Sequence, residues 1–182
     1  MGMDSDMQDS LSQYLLFSLD ELYAIEIKYV VEVLEYTKIS KIPRTPSYMA
    51  GIINNRGKIV PIIDIRKQFG MGDRVVDEDE KKRNKGVNIS NIIILTLVYE
   101  GDEFNLGILV DYVNEVLELD PFSIDDAPKI GSGFNSKFIS GIGKSNNKFI
   151  IILDVENLFD VRELSRFRNT TIYDPEQPTK QQ

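Results

Sequence analysis

The chain has no cysteine and no histidine among its 182 residues. Without thiols there is no disulfide, no thiolate nucleophile and no cysteine-held zinc. Without imidazole the commonest general base and the commonest metal ligand are both missing, so catalysis would rest on carboxylates, Lys, Tyr, Ser or Thr. An excess of positive charge is missing too. The formal net charge is −8 and the pI about 4.7, which argues against attraction to phosphate backbones and for a neutral or basic protein partner. No run of about 18 apolar residues occurs, and Met1 to Ser12 is polar and acidic without the basic and apolar regions of a leader. The expectation is a cytoplasmic protein with no cofactor, no metal, no nucleic-acid partner and no direct membrane insertion, its residues 1–12 a flexible tail.

What the chain does have is a succession of short β-branched runs. With 42% hydrophobic residues it can bury an ordinary core, as one domain over 13–167 or as two small units sharing that core. Strands are expected from Tyr14 to Leu19, Leu22 to Ile27, Val30 to Tyr36, Ile92 to Val98, Phe104 to Val110 and Val113 to Leu119. Between them, Ile52-Ile53 and Ile59 to Ile65 flank Asn54-Asn55-Arg56-Gly57, whose composition favours a hairpin reversal with one residue at positive φ. Pro61 has no N–H for a ladder, which puts the second hairpin strand at an edge or gives it a bulge. Arg56 sits where a long cationic side chain could fold back over a sheet or point outward at a partner. Ahead of the hairpin, Pro43 and Pro46 break regular structure and Ser47 to Ala50 can hold one helical turn.

Composition shifts at 71–91, where Asp77 to Glu80 and Lys81 to Arg83 mark a charged, solvated excursion. Near the end, Leu158, Phe159, Val161, Leu164 and Phe167 have the spacing of a helix over 155–167, followed by a polar, disordered tail at 168–182. The chain also repeats itself. Val30-Val31-Glu32-Val33-Leu34-Glu35 returns as Val113-Asn114-Glu115-Val116-Leu117-Glu118. Gly51-Ile52 and Lys58 through Asp64 to Phe69 return as Gly141-Ile142 and Lys148 through Asp154 to Phe159. Two blocks in the same order imply two similar all-β units of about five strands each, curled into barrels that hide their edges. The first barrel is expected at about 13–70 and the second at about 92–159, with a longer loop around 120–138 in the second copy.

These residues carry a resemblance. The pattern from Tyr14, the segment Val30-Val31-Glu32-Val33, the run from Gly51 to Arg66 with its Asn-x-Arg-Gly turn and Val-Pro-Ile-Ile-Asp, and Gly107 to Asp111 with Val113 together resemble the CheW family of chemotaxis coupling proteins, over roughly Tyr14 to Phe159. The resemblance implies an all-β fold of two SH3-like five-stranded barrels sharing an apolar seam, with a short C-terminal helix and no catalytic activity. It implies an adaptor that bridges the cytoplasmic tips of methyl-accepting chemoreceptors to the regulatory domain of the histidine kinase CheA, recruited to receptor arrays beneath the inner membrane. The alternative is a scaffold of the same fold serving a kinase outside motility. One departure is Asn55, where family members commonly carry Leu; the charged excursion is another.

By the same resemblance Val30, Glu32, Gly51, Arg56, Gly57, Gly107 and Val113 would face the receptor, with Ile27, Ile124 and Ile130 facing the kinase. Each has a plain alternative: a surface Arg and Glu with no shared role, strand valines, glycines that serve packing or positive φ, isoleucines of the core. If Glu32 lies beside the turn, it can pair with Arg56 and hold its shape. Asp64 and Asp154 end equivalent strands and read as caps. An enzyme would need them to converge in a pocket, and a nucleic-acid barrel would need a basic patch with exposed aromatics. Gly131-Ser132-Gly133 is a loop signal, and Asp77 to Glu80 lacks the spacing of a calcium loop.

Overall fold

The structure is a computed structural model that describes residues 11–75, 78–83, 90–127 and 136–164. Ten strands lie among these residues: β1 Ser12–Ser18, β2 Leu22–Glu26, β3 Val30–Glu35, β4 Met49–Asn55, β5 Lys58–Asp64, β6 Asn91–Tyr99, β7 Asp102–Val110, β8 Tyr112–Leu119, β9 Ile139–Ser145 and β10 Lys148–Leu153. Helical turns are brief: α1 Ile65–Gln68, α2 Glu78–Arg83, α3 Val155–Leu158 and α4 Val161–Leu164. The strands form two five-stranded sheets, ordered β8-β1-β2-β10-β9 and β3-β6-β7-β5-β4.

The sheets do not follow the expected halves at 13–70 and 92–159. Strands β3 to β7 make a contiguous central barrel, while β1 and β2 leave the N-terminal half to join β8, β9 and β10 in a terminal barrel. Two parallel pairings lock the hairpins into place: Tyr23 with Ile151, and Gly107 with Ile62. A repeat in sequence says that two units exist; it does not say which hairpin docks on which unit.

Each sheet then closes on itself. The chain leaving β3 reaches β4 through a bridge between Ser40 and Ile52, and the chain leaving β8 reaches β9 through Asp125 and Ile142. Edge strands β3 and β8 each carry a bulge, between Val30 and Glu32 against β6 and opposite Leu15 to Phe17 in β8. The extra residue turns the strand over. Val30 and Val113 therefore pack on the shared core, whereas Leu34 and Leu117 enter their own barrels.

The apolar runs lack polar alternation because both of their faces are buried. Ile92 and Ile94 fill the central barrel while Ile93 and Leu95 face the seam; Ile62 and Ile63, Leu16 and Leu15, Ile152 and Leu153 divide in the same way. Across the seam runs an aromatic ladder, Phe17 to Tyr23 at 5.8 Å, Tyr23 to Phe69 at 5.7 Å and Phe69 to Phe138 at 6.0 Å.

Local expectations shift in four places. Strand β5 is interior, not an edge, and the bulge of the pair sits at Met49 and Gly51 in β4. Pro61 is tolerated because Ile52 gives both backbone groups to Ser40 at 2.9 Å, so Ile52 and Pro61 form a non-hydrogen-bonded pair and the ladder to β7 begins only at Ile62. Residues 46–49 form a turn closed by Met49 N–H to Pro46 O at 3.0 Å, not a helical one. The C-terminal helix is two single turns, α3 and α4, broken at Phe159 and Asp160, because Asp160 caps a fresh start by accepting from Arg162 and Glu163 N–H. Residues 1–10, 128–135 and 165–182, hence most of the expected tails and the Gly131-Ser132-Gly133 loop, lie outside the described residues; Ser12 already belongs to β1.

Candidate functional site

The β4–β5 hairpin pairs Asn55 with Lys58 across two residues, Arg56 at φ 55° and Gly57 at φ 82°. Both central residues are left-handed, where one was expected, which is the turn whose twist matches the flanking strands. The side chain of Asn54 holds it, its Oδ1 accepting the Gly57 N–H at 2.9 Å. Arg56 stands at the tip with its side chain 81% exposed.

Glu32 comes from β3, the opposite edge of the same sheet, and meets the hairpin where the barrel closes. Asn55 Nδ2 donates to Glu32 Oε1 at 2.8 Å and an Arg56 guanidinium nitrogen to Glu32 Oε2 at 3.1 Å. The Glu32 carboxylate, with its side chain 22% exposed, has both oxygens engaged. Asn55 is thus part of the cluster, a contact the sequence did not reveal; an amide one position before the arginine was the available signal. Val30 and Val113 are half-buried on the rim of the seam, each pointing at the shared core.

The two glycines are another matter. Gly51 is buried, and a Cβ there would stand 2.2 Å from the Ser40 carbonyl oxygen. Gly107 is buried inside the central barrel, where a Cβ would stand 2.3 Å from Ile62 Cδ1. Neither faces solvent, so their expected place on a receptor-facing surface is corrected to a packing role; Gly57 is exposed, on the tip. Ile27 and Ile124 are half-buried, Ile27 against the seam and Ile124 against the terminal barrel. Ile130 lies outside the described residues. Near Ile124 the bare side chain is Phe122, 90% exposed on a 3-10 turn that Asp120 caps by accepting its N–H at 2.9 Å.

A second polar cluster went unread in the sequence. Arg66, buried in α1, donates Nε to Asp111 at 3.1 Å and an Nη to the same carboxylate at 2.8 Å. Its other bonds reach Asp20 at 2.5 Å and the Gly72 carbonyl at 3.0 Å. Hydrogen bonding to Asp111 is the main cause that raises the guanidinium above its ordinary pKa. Asp20 sits in the β1–β2 turn of the terminal barrel and Asp111 where β7 hands over to β8, so Arg66 keys the two barrels together. Its signal was an Arg directly after the apolar run Ile59 to Ile65 and a lone Asp between two strands.

Asp64 and Asp154 accept from Lys67 and Asn157 N–H at 3.3 and 3.2 Å, capping α1 and α3 in the two barrels. No group of three or more acidic residues able to hold a metal occurs among the described residues, and none of their helices is long and apolar enough to cross a membrane. The arrangement offers chemistry of shape and charge: a hydrogen-bonded hairpin tip that presents a cation.

A family model for the CheW-like domain matches residues 13–163. The chain belongs to the CheW-like domain family. It is 27% identical over 164 residues to the chemotaxis protein CheW of Treponema pallidum, covering 90% of this chain and 91% of that one. With the chemotaxis protein CheW of Klebsiella aerogenes it shares 30% identity over 158 residues, covering 86% and 87%. The crystal structure of the scaffolding protein TtCheW from Thermoanaerobacter tengcongensis superposes with a TM-score of 0.67 at 38% identity, covering 82% of this chain and 93% of that one. The paired barrels are therefore the two SH3-like subdomains of a CheW-like fold.

Proposed function

We propose that the chain is a non-enzymatic chemotaxis adaptor, cytoplasmic and recruited to receptor arrays, that couples chemoreceptor tips to the regulatory domain of CheA. Support for an adaptor comes from the family and from the names of its relatives, chemotaxis proteins and a scaffold. The observation that carries the receptor side is the Glu32–Asn55–Arg56 cluster, with Val30 two residues from Glu32 on β3: an anchored cation near a half-buried apolar side chain suits an amphipathic helix. On the kinase side stand Ile27 and the turn of Ile124, with Phe122 as its exposed apex. Two dissimilar ends allow head-to-tail association that can close into rings. Holding receptor and kinase in fixed relation lets a small receptor shift bias the kinase equilibrium.

The test is capture of purified receptor-tip and CheA fragments by the parent and by Arg56→Ala, Ile27→Glu and Phe122→Ser. Arg56→Ala is expected to lose receptor and keep CheA, with unfolding free energy within about 1 kcal/mol of the parent, as for an exposed ion pair. Ile27→Glu and Phe122→Ser are expected to do the converse, Phe122→Ser without loss of stability because its ring is bare. Should Arg56→Ala melt far below the parent, Arg56 is structural and the receptor side of the reading falls. Capture of a kinase without any receptor would instead favour a scaffold outside motility.

A further inference from the structure

We infer that Asn55 is a positioning residue for the receptor contact, fixing the Glu32 carboxylate so that it in turn fixes Arg56; this rests on the receptor reading above. A single guanidinium bond at 3.1 Å to a side chain 81% exposed holds a flexible arginine loosely in water. The shorter and better shielded bond is the amide's: half-buried Asn55 donates at 2.8 Å to the other oxygen and so orients the carboxylate that Arg56 meets. Because Glu32 and Asn55 belong to strands at opposite edges of one sheet, this grip also closes the central barrel at the tip.

The terminal barrel supplies the control. The residues matching Glu32, Asn55 and Arg56 are Glu115, Ser145 and Asn146, and Asn146 and Asn147 repeat the left-handed turn at φ 48° and 61°. No hydrogen bond joins Glu115 to that turn among the described residues, and Glu115 is exposed. The hairpin backbone does not need the grip, so the grip serves what the tip presents.

Asn55→Asp sets a second carboxylate against Glu32, and Asn55→Asp with Glu32→Gln restores a bonded pair with donor and acceptor exchanged. The cysteine-free chain lets a spin label at Lys58→Cys report tip mobility by itself, while capture of the receptor-tip fragment reports binding. Asn55→Asp is expected to sharpen the label's spectrum and weaken receptor capture about tenfold, and the double variant to recover the label's spectrum. An unmoved label in Asn55→Asp overturns the inference whatever binding does, and so does a double variant whose label stays freed. A freed label with full receptor capture, in both Asn55→Asp and Arg56→Ala, overturns the receptor reading and with it the role given to Asn55.

Discussion

At Tyr48 and Phe138 the two barrels build the same joint. Each carbonyl accepts the N–H of the aspartate that caps the next helical turn, Asp64 at 2.8 Å and Asp154 at 2.9 Å. Bulge, cross-bridge, left-handed hairpin turn and capped helical turn also recur in both. The side chains on this common frame diverge: Arg66 stands where Glu156 stands, Tyr48 where Phe138 does, Asn55 and Arg56 where Ser145 and Asn146 do. Backbone devices were kept because a five-stranded barrel needs them to close. The divergence makes the barrels differ at their tips and seam, which a duplicated frame alone would not.

The largest effect should come from the charge that keys the barrels. Arg66 is buried between two carboxylates, and Arg66→Ala strands Asp111 without its main partner. That should cost about 3–5 kcal/mol in urea unfolding. Its counterpart Glu156 is exposed and accepts one bond from Tyr29 at 3.1 Å, so Glu156→Ala should cost no more than about 1 kcal/mol. Equal costs would mean that the seam is held by its apolar ladder alone and that the charge asymmetry is incidental.

Next comes the place where strand and cross-bridge meet. Gly51 has φ 143°, and an added Cβ would meet backbone, the Ser40 oxygen at 2.2 Å. At Gly141, whose φ is not positive, an added Cβ would meet the Ile124 Cγ2 methyl at 2.5 Å and the Asp125 carbonyl oxygen at 2.9 Å. The backbone clash at Gly51 is the closer of the two, and only Gly51 adds the strain of a positive φ. Gly51→Ala should therefore cost about 3 kcal/mol, from strain and overpacking together, and Gly141→Ala about 1–2 kcal/mol. The reverse order in thermal unfolding would show that the central bridge is the softer one.

These pairs also show where the sequence could be read. The repeat, the hairpin and the two capping aspartates were visible because each is a local pattern of a few residues. The exchange of hairpins between barrels was not, since Tyr23 beside Ile151 and Ile62 beside Gly107 are pairings of distant segments with no polar mark. The Arg66 key was hidden for the same reason: Asp20, Arg66 and Asp111 are far apart in the chain. At the site, the link of Glu32 to Arg56 was reachable through family resemblance, but the bond from Asn55 needed the barrel to close. Gly51 and Gly107 misled because a glycine that admits a neighbour from within reads like one that opens a groove.

The smallest effect isolates one oxygen atom. Tyr48 donates its hydroxyl to Glu163 at 2.8 Å, and burial, with that bond second, pushes its pKa up to about 12. Phe138 has nothing to titrate. An unfolded tyrosine ionises near pH 10, so between about pH 10 and 12 the unfolded chain gives up a proton that the folded chain keeps. Tyr48 thus contributes stability that is whole below pH 10 and drains away as pH rises toward 12. Tyr48→Phe makes the two joints alike. It should lose about 1 kcal/mol at neutral pH, and that difference from the parent should shrink through the alkaline range as the parent loses its bond. Tyr14, Tyr23 and Tyr29 are raised as well, so the parent's own decline is shared and the difference between the two curves is the quantity that decides. Parallel curves would mean that α4 is held by Leu164 in the seam and owes nothing to the hydroxyl that distinguishes the central barrel's joint from its twin.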